Sequence, residues 1–450
     1  MLTSAEERDT RTMLLGTQRI NEQGHLVVGG CDTVELARQF GTPLYVLDEE
    51  AFRASCRAYR RAFESRCPDS LISYAGKALI NVAVCRIAAE EGLGLDVVSA
   101  GELHTAVEAE FPTDRIIFHG ALKTDLELGM ALQYRVGLIV LDSLEEIAAL
   151  NAIAAERRVT TEVLLRVSPG VTGDTHYHIQ TGKTDTKFGF SIVGGAAEQA
   201  VAAAMAASSL KLRGFHCHIG SQILDLEPFA QAGQLMVDFA ADMRDATGLT
   251  VEDLDIGGGL GVRYLPEQRP PSVEEFAQAV GGTIKRRCEE RRLPLPRILL
   301  EPGRSLVGEA GLTLYRVGVV KEIAGIRTYA TVDGGLADNP RPALYGARYD
   351  AIVANKASLP RHRKVTISGR SCETDTLIVD LHTPEIAAGD LLAVQTTGAY
   401  NHAMASNYNR FSRPAMVLVS DGTAEVIVER ESLQDLVRMD RLPERLRRKR

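Results

Sequence analysis

The stretch "LISYAGKAL", residues 71–79, reads as a core strand of apolar and small residues until it reaches Lys77. An unpaired ammonium is costly to bury, so the ordinary explanation is a lysine whose stem snorkels to water. A partly desolvated lysine has a second use: its lowered pKa makes it a nucleophilic amine, able to form a Schiff base with an aldehyde. Other residues give that amine company. "DLDIGGG" runs into Gly257, Gly258 and Gly259, where bare backbone N–H groups can approach an anion closely. "EPGR" supplies Glu301, Gly303 and Arg304, and "FHCHIGSQ" supplies His218 and Ser221. A phosphate and a lysine-bound aldehyde are the two anchors that pyridoxal 5'-phosphate needs. Glu301 would then keep the pyridine nitrogen protonated, and His218 would stack on the ring.

These residues must be held by something, and the rhythm of the chain says what. From residue 71 short apolar runs alternate with amphipathic stretches: "LISYAGKA", "LGLDVVS", "RIIFHG", "GLIVLDS", "EVLLRVSP", "KLRGFHCHIG", "DLDIGGG" and "RILLEPG". Each is too apolar on both faces for a half-exposed sheet, which predicts eight buried parallel strands. Between them, "NVAVCRIAAEEG" places apolar residues at helical spacing with Gly92 at its C-terminal end. Ser143 followed by Glu146 predicts a capping box, and the alanine-rich stretch 195–206 predicts another helix. The fold expected is a (β/α)8 TIM-type barrel, with an open doubly wound sheet as the alternative. Barrel chemistry gathers at the C-terminal strand ends, where Lys77, Asp96, Ser99, His119, Arg166, His216, Asp255 and Glu301 fall. His216 is expected to be a structural, hydrogen-bonded histidine. The loops after strands seven and eight are the usual phosphate site of such barrels, which supports the reading of the glycines and Arg304.

After residue 305 the strands follow one another without long helices, and "MVLVSDGTAEVIVE" is a hairpin turning on Asp-Gly. A mostly antiparallel β domain is therefore expected after the barrel. The organisation read from the sequence is an N-terminal segment 1–45 joining the β domain, a cofactor-binding barrel at 46–305, and the β domain with a basic tail at 306–450.

Composition narrows the function. Net charge is −8 and tryptophan is absent, which argues against a nucleic-acid surface. No stretch offers the roughly 18 apolar residues of a membrane span, and acids precede any apolar run at the N-terminus. Seven scattered cysteines without a CxxC pair suit reduced thiols rather than disulfides or a zinc site, so a cytoplasmic protein without a bound metal is expected.

The motifs together resemble the diaminopimelate decarboxylase family, in the fold-type-III group of pyridoxal-phosphate enzymes with ornithine decarboxylase and alanine racemase. The resemblance runs from about residue 40 to 415 and includes "YAGKA", "GLGLDVVSAGEL", "THYHIQTGKTDTKFGF", "FHCHIGSQI" and "LDIGGGLGVRY". It continues through "EPGRSLVG", "VDGGLADNPRPALYGARY", "GRSCETDTL" and "TGAYNHAMASNYN". It implies an alanine racemase-like barrel plus β domain, with Lys77 as the Schiff-base lysine, His218 on the ring and Glu301 at the pyridine nitrogen. Gly257, Gly258, Gly259, Gly303, Arg304 and Ser221 would bind the cofactor, with Tyr400 shared between cofactor and substrate. Arg304, Arg341, Tyr345, Glu373 and Tyr400 would hold the substrate, and Cys372 would be the proton donor. A homodimer with composite sites is implied, because the Cys-Glu pair of such enzymes reaches into the neighbouring copy's site. So is the reaction: loss of CO2 from the D-centre of meso-diaminopimelate, giving L-lysine.

The residue types suit that chemistry. A cysteine thiol, with an unperturbed pKa of ~8.5, is mostly protonated at neutral pH and can return a proton to Cα. Cations and an anion at the far end of the substrate would recognise its L-amino-acid terminus. The chain departs from the family pattern at "CETDT", at "YAGKAL" and at "NHAM", without losing a residue that has a chemical role. A related decarboxylase acting on another diamino acid or conjugate is the alternative. A racemase would need a second base in place of the Cys-Glu pair. A non-catalytic cofactor carrier would have no use for the β domain.

Overall fold

The computed structural model describes residues 12–171 and 187–447. Most of "THYHIQTGKTDTKFGF", at 175–186, and the last three residues of the basic tail lie outside the described residues. The chain divides into two compact units. One comprises Glu50–Arg263 and Gln268–Ala310; the other comprises the residues up to Glu49, Tyr264–Glu267, and those from Gly311 onward.

The first unit is a closed barrel. Its strands are Ser70–Ala75, Gly94–Val97, Ile116–Phe118, Leu138–Leu141, Thr161–Ser168, Leu210–His216, Asp253–Asp255 and Arg297–Leu300. Each pairs in parallel with the next, and the eighth returns to the first through Leu299 opposite Leu71. All eight strands stand where the apolar runs place them. Inside, Ile117, Leu138, Val140, Leu164 and Leu299 pack with Leu71, so the interior is filled core rather than a pore. Helices connect successive strands, and local sequence fixes their starts: Ser99, Thr124, Ser143 and Ser272 each accept a backbone N–H from three residues on.

The capping box expected at Ser143 closes only halfway. Ser143 Oγ accepts the Glu146 N–H, but the Glu146 carboxylate serves other donors. It accepts from Asp142 N at 3.0 Å, from Lys123 N at 2.7 Å and from Lys123 Nζ at 3.0 Å. A buried ammonium is the stronger claimant on a carboxylate, so tertiary pairing overrides the local motif.

The second unit is a β domain. Strand Gly311–Ile323 pairs antiparallel with Arg327–Val332, Leu391–Val394 and Leu44–Asp48. Leu44–Asp48 in turn pairs in parallel with Ala415–Ser420, the first arm of the Asp421-Gly422 hairpin. Two parallel pairings, this one and Arg327–Val332 with Arg363–Ser368, interrupt an otherwise antiparallel sheet. The N-terminal stretch around "HLVV" forms a small three-stranded sheet whose Leu26 and Val28 pack into this domain's core with Leu44, Leu314 and Val417.

Candidate active site

The barrel rim gathers most of the polar strand ends around one buried carboxylate. Strand one stops at Ala75, and the turn Gly76–Ala78 carries Lys77 over the rim. A Cβ on Gly76 would lie 3.0 Å from the Asp96 carbonyl, so the turn passes close against strand two. Lys77 Nζ lies 3.5 Å from Asp96 Oδ2. From there the chain of charges runs inward. His119, just past strand three, has Nε2 3.9 Å from Asp96 Oδ1 and 2.5 Å from Glu301 Oε1. His216, the last residue of strand six, has Nε2 3.2 Å from Glu301 Oε2, and the two imidazoles meet edge to face at 4.7 Å. His216, expected to be a structural, hydrogen-bonded histidine, is buried against the Glu301 carboxylate, while His218 lies two residues past the end of the strand.

These environments push the carboxyls apart. Burial raises Glu301, but His119 and His216 outweigh it and hold the group well below the usual carboxylate range. Asp255 goes the other way: burial and then the Glu301 charge raise it well above its ordinary value. The two neighbouring carboxyls are thus pushed in opposite directions, Glu301 toward its ionised form and Asp255 toward its protonated one. Asp96 is raised by burial, against the opposing pull of His119 and Lys77. His216 is pushed down to about 3, chiefly by burial, and so is neutral. His218 is lowered by burial and then by the Lys77 and Arg166 charges. Gly258 N–H donates to His218 Nδ1 at 3.3 Å, which leaves any ring proton on Nε2.

The glycine loop has a steric reason as well as an electrostatic one. A Cβ at Gly258 would sit 2.2 Å from the Glu301 carbonyl, and one at Gly259 would sit 2.4 Å from the Gly220 carbonyl. Strand ends six and eight therefore close on the loop, and only glycines fit between them. Beside it Arg304 donates to Ser221 Oγ from Nη2 at 2.9 Å and from Nε at 3.2 Å. A Cβ on Gly303 would meet the Ala75 side chain at 3.0 Å, so the "EPGR" turn lies against the end of strand one.

Two strand-end residues do not join this cluster. Ser99 is a helix cap for Glu102 N–H. Arg166 sits 3.6 Å from Asp142 Oδ2, with its guanidinium 4.3 Å over the Phe188 ring.

The β unit holds the remaining residues. Arg341 opens the short helix Arg341–Tyr345, which ends at Tyr345, and is buried. Its Nη1 donates to Tyr264 OH at 2.9 Å and to Tyr349 OH at 2.7 Å. Tyr400 sits in the left-handed backbone region at φ +62°, a conformation that a tyrosine adopts only where its surroundings impose it. Cys372 and Glu373 lie on the turn between strands Arg363–Ser368 and Thr376–Thr383, with the thiol exposed. Cys372 N–H donates to Asn409 Oδ1 at 3.3 Å, and Tyr408 OH donates to Glu373 Oε1. Asp375 organises this turn, accepting from Leu336 N at 2.9 Å and from Ser371 N at 3.2 Å. The departure "CETDT" thus retains an acid that shapes the loop. Tyr264, Tyr349, Tyr408 and Asn409 were not singled out from the sequence, although three of the quoted motifs, "LDIGGGLGVRY", "VDGGLADNPRPALYGARY" and "TGAYNHAMASNYN", end on or contain them.

A rim amine, a glycine loop beside a serine and an arginine, and a buried ionised carboxylate are the donor set that pyridoxal phosphate requires, and the residues fit it. His119, His216, Asp255 and Glu301 also bring four donor atoms within 4.8 Å of one another, but His119 already satisfies Glu301. The class defined is a barrel enzyme dependent on pyridoxal phosphate. Residues 50–308 match the family model for the pyridoxal-binding domain of pyridoxal-dependent decarboxylases. The diaminopimelate decarboxylase of Bacillus subtilis is 45% identical over 428 residues, covering 95% of this chain and 98% of its own. That of Actinosynnema pretiosum is also 45% identical, over 442 residues, covering 98% of this chain and 97% of its own. The crystal structure of the M. jannaschii diaminopimelate decarboxylase in complex with L-lysine superposes with a TM-score of 0.89 at 35% identity, covering 96% of this chain and 99% of that one. The chain belongs to the diaminopimelate decarboxylase family.

Proposed function

We propose that this protein removes CO2 from the D-centre of meso-diaminopimelate, releasing L-lysine in the last step of lysine biosynthesis, with pyridoxal phosphate as cofactor. The observation that carries the substrate is Arg341, a cation 6% exposed that no carboxylate pairs among the described residues. A substrate whose far end bears a carboxylate answers it; ornithine or another substrate without one does not.

When bound, the cofactor supplies an electron sink for the charge left on Cα as CO2 departs. The chain's residues do the rest. Lys77 anchors the aldehyde carbon. Gly257, Gly258, Gly259, Ser221, Gly303 and Arg304 take the phosphate side, and His218 lies against the ring. Glu301, held ionised, keeps the proton on the pyridine nitrogen. Arg304, Arg341, Tyr345, Glu373 and Tyr400 orient the substrate, with Tyr400 also touching the cofactor. Cys372 returns the proton to Cα. An exposed thiol on a turn suits service in a second copy's site, so the working unit is a homodimer in which each Cys372–Glu373 turn completes the neighbour. Six buried, unpaired cysteines suit a cytoplasmic location. No helix among the described residues is long and apolar enough to cross a membrane.

The test offers the holoenzyme meso-diaminopimelate, ornithine and arginine in parallel and follows CO2. Release from diaminopimelate alone supports the proposal. Release from another amino acid at a comparable kcat/KM moves the protein to a different decarboxylase of this fold.

A further inference from the structure

The surroundings of Arg341 say more than that it awaits an anion. Two other buried cations of this chain are paired with acids: Arg361 meets Asp350 at 2.6 Å and Lys123 meets Glu146 at 3.0 Å. Arg341 is as well buried, yet its hydrogen-bond partners among the described residues are two phenols. Both accept from the same nitrogen, Nη1, so the two N–H bonds of that corner are taken. The Tyr264 and Tyr349 rings meet edge to face at 5.3 Å and 85°, with the guanidinium carbon 5.2 and 5.8 Å from their centroids. Behind them, Tyr349 OH donates to Asn401 Oδ1 at 3.3 Å, and Asn401 is fully buried. A carboxylate in place of either phenol would fix the guanidinium equally well but would cancel its charge. A phenol fixes the plane and leaves the charge whole, with the Nε–Nη2 edge available for a planar, two-oxygen acceptor.

We propose that Tyr264 and Tyr349, backed by Asn401, are specificity-positioning residues: a neutral clamp that holds Arg341 for the carboxylate at the far end of the substrate. This rests on the reading that the substrate carries such a carboxylate. The clamp favours amino acids with a second carboxylate and rejects diamines, which would leave a buried cation unanswered. A site built to bond a given group discriminates steeply against analogues that lack it.

The test uses holoenzyme carrying Tyr349→Phe, Tyr264→Phe or both, with L-lysine and cadaverine as a matched pair of inhibitors. The two differ by one carboxylate. Losing one hydrogen bond to a charged group predicts about a tenfold rise in KM for meso-diaminopimelate per substitution, with kcat changed less than about threefold. The inhibition constant of L-lysine rises in parallel while that of cadaverine stays put. Lysine and cadaverine weakening together, or an unchanged KM, overturns the clamp. Should the parent enzyme not turn over meso-diaminopimelate, the functional reading fails by itself. Binding of the pair, read from the cofactor's absorbance, still decides the clamp: a preference for lysine lost in the variants supports it, and no preference in the parent overturns it.

Discussion

Replacing Glu301 by glutamine removes one charge and preserves the shape of the side chain. In the structure that carboxylate receives His119 at 2.5 Å and faces His216 at 3.2 Å, and both imidazoles favour its ionised form. An amide can still meet one imidazole, but it cannot hold a proton on the pyridine nitrogen. The loss then falls on the transition state, where negative charge flows into the ring. Removing one preorganised electrostatic partner costs about 3 kcal/mol, or roughly two decades in kcat. The assay is steady-state CO2 release near neutral pH, with cofactor content measured on the same sample. Glu301→Gln should retain the cofactor and lose about a hundredfold in kcat. Full cofactor content with kcat within about threefold of the parent would refute the role given to the carboxylate.

Further outcomes follow from other positions. Lys77→Ala should abolish the borohydride-reducible covalent attachment of the cofactor, read by mass spectrometry; a retained label would displace the lysine from its role. Cys372→Ala should keep the cofactor and lose most turnover, and unchanged turnover would remove the thiol as the acid. Gly258→Ala drives a Cβ to 2.2 Å from the Glu301 carbonyl and should destabilise the barrel by about 1–3 kcal/mol, read as a lower Tm with weaker cofactor retention. His216, held down to about 3 in the folded chain, takes up a proton more readily when unfolded. Its stabilising effect is complete above the unfolded value of ~6.5 and fades as pH falls toward the folded one. Between pH 7 and ~5.5 that amounts to about 1.2 kcal/mol, so denaturant unfolding at the two pH values should show less acid sensitivity in His216→Phe.

Much of this was legible in the sequence because barrel strands are buried on both faces. "LIVL" or "RILL" can hardly be anything but interior, and Lys77 and Glu301 stand out because each follows such a run. What escaped depends on contacts between distant segments. Glu146 satisfies the local pattern of a capping box, but only the fold brings Lys123 to it. His216 ends its strand and His218 lies two residues beyond it, and that His216 is the one to meet Glu301 depends on where strand eight brings the carboxylate. The excursion Tyr264–Glu267 groups with the β unit although barrel sequence flanks it, so Tyr264 reaches Arg341 across 77 residues of chain. No periodicity announces such a pairing; a motif ending in Arg-Tyr was the one trace of it.

The reaction proposed for this chain takes CO2 from one defined end of a symmetric-looking substrate. Chiral analysis of the product tests it most directly, with purified holoenzyme, meso-diaminopimelate and quantified CO2. L-lysine should form in one-to-one ratio with CO2. D-lysine, a mixture of enantiomers, or CO2 without lysine would contradict it.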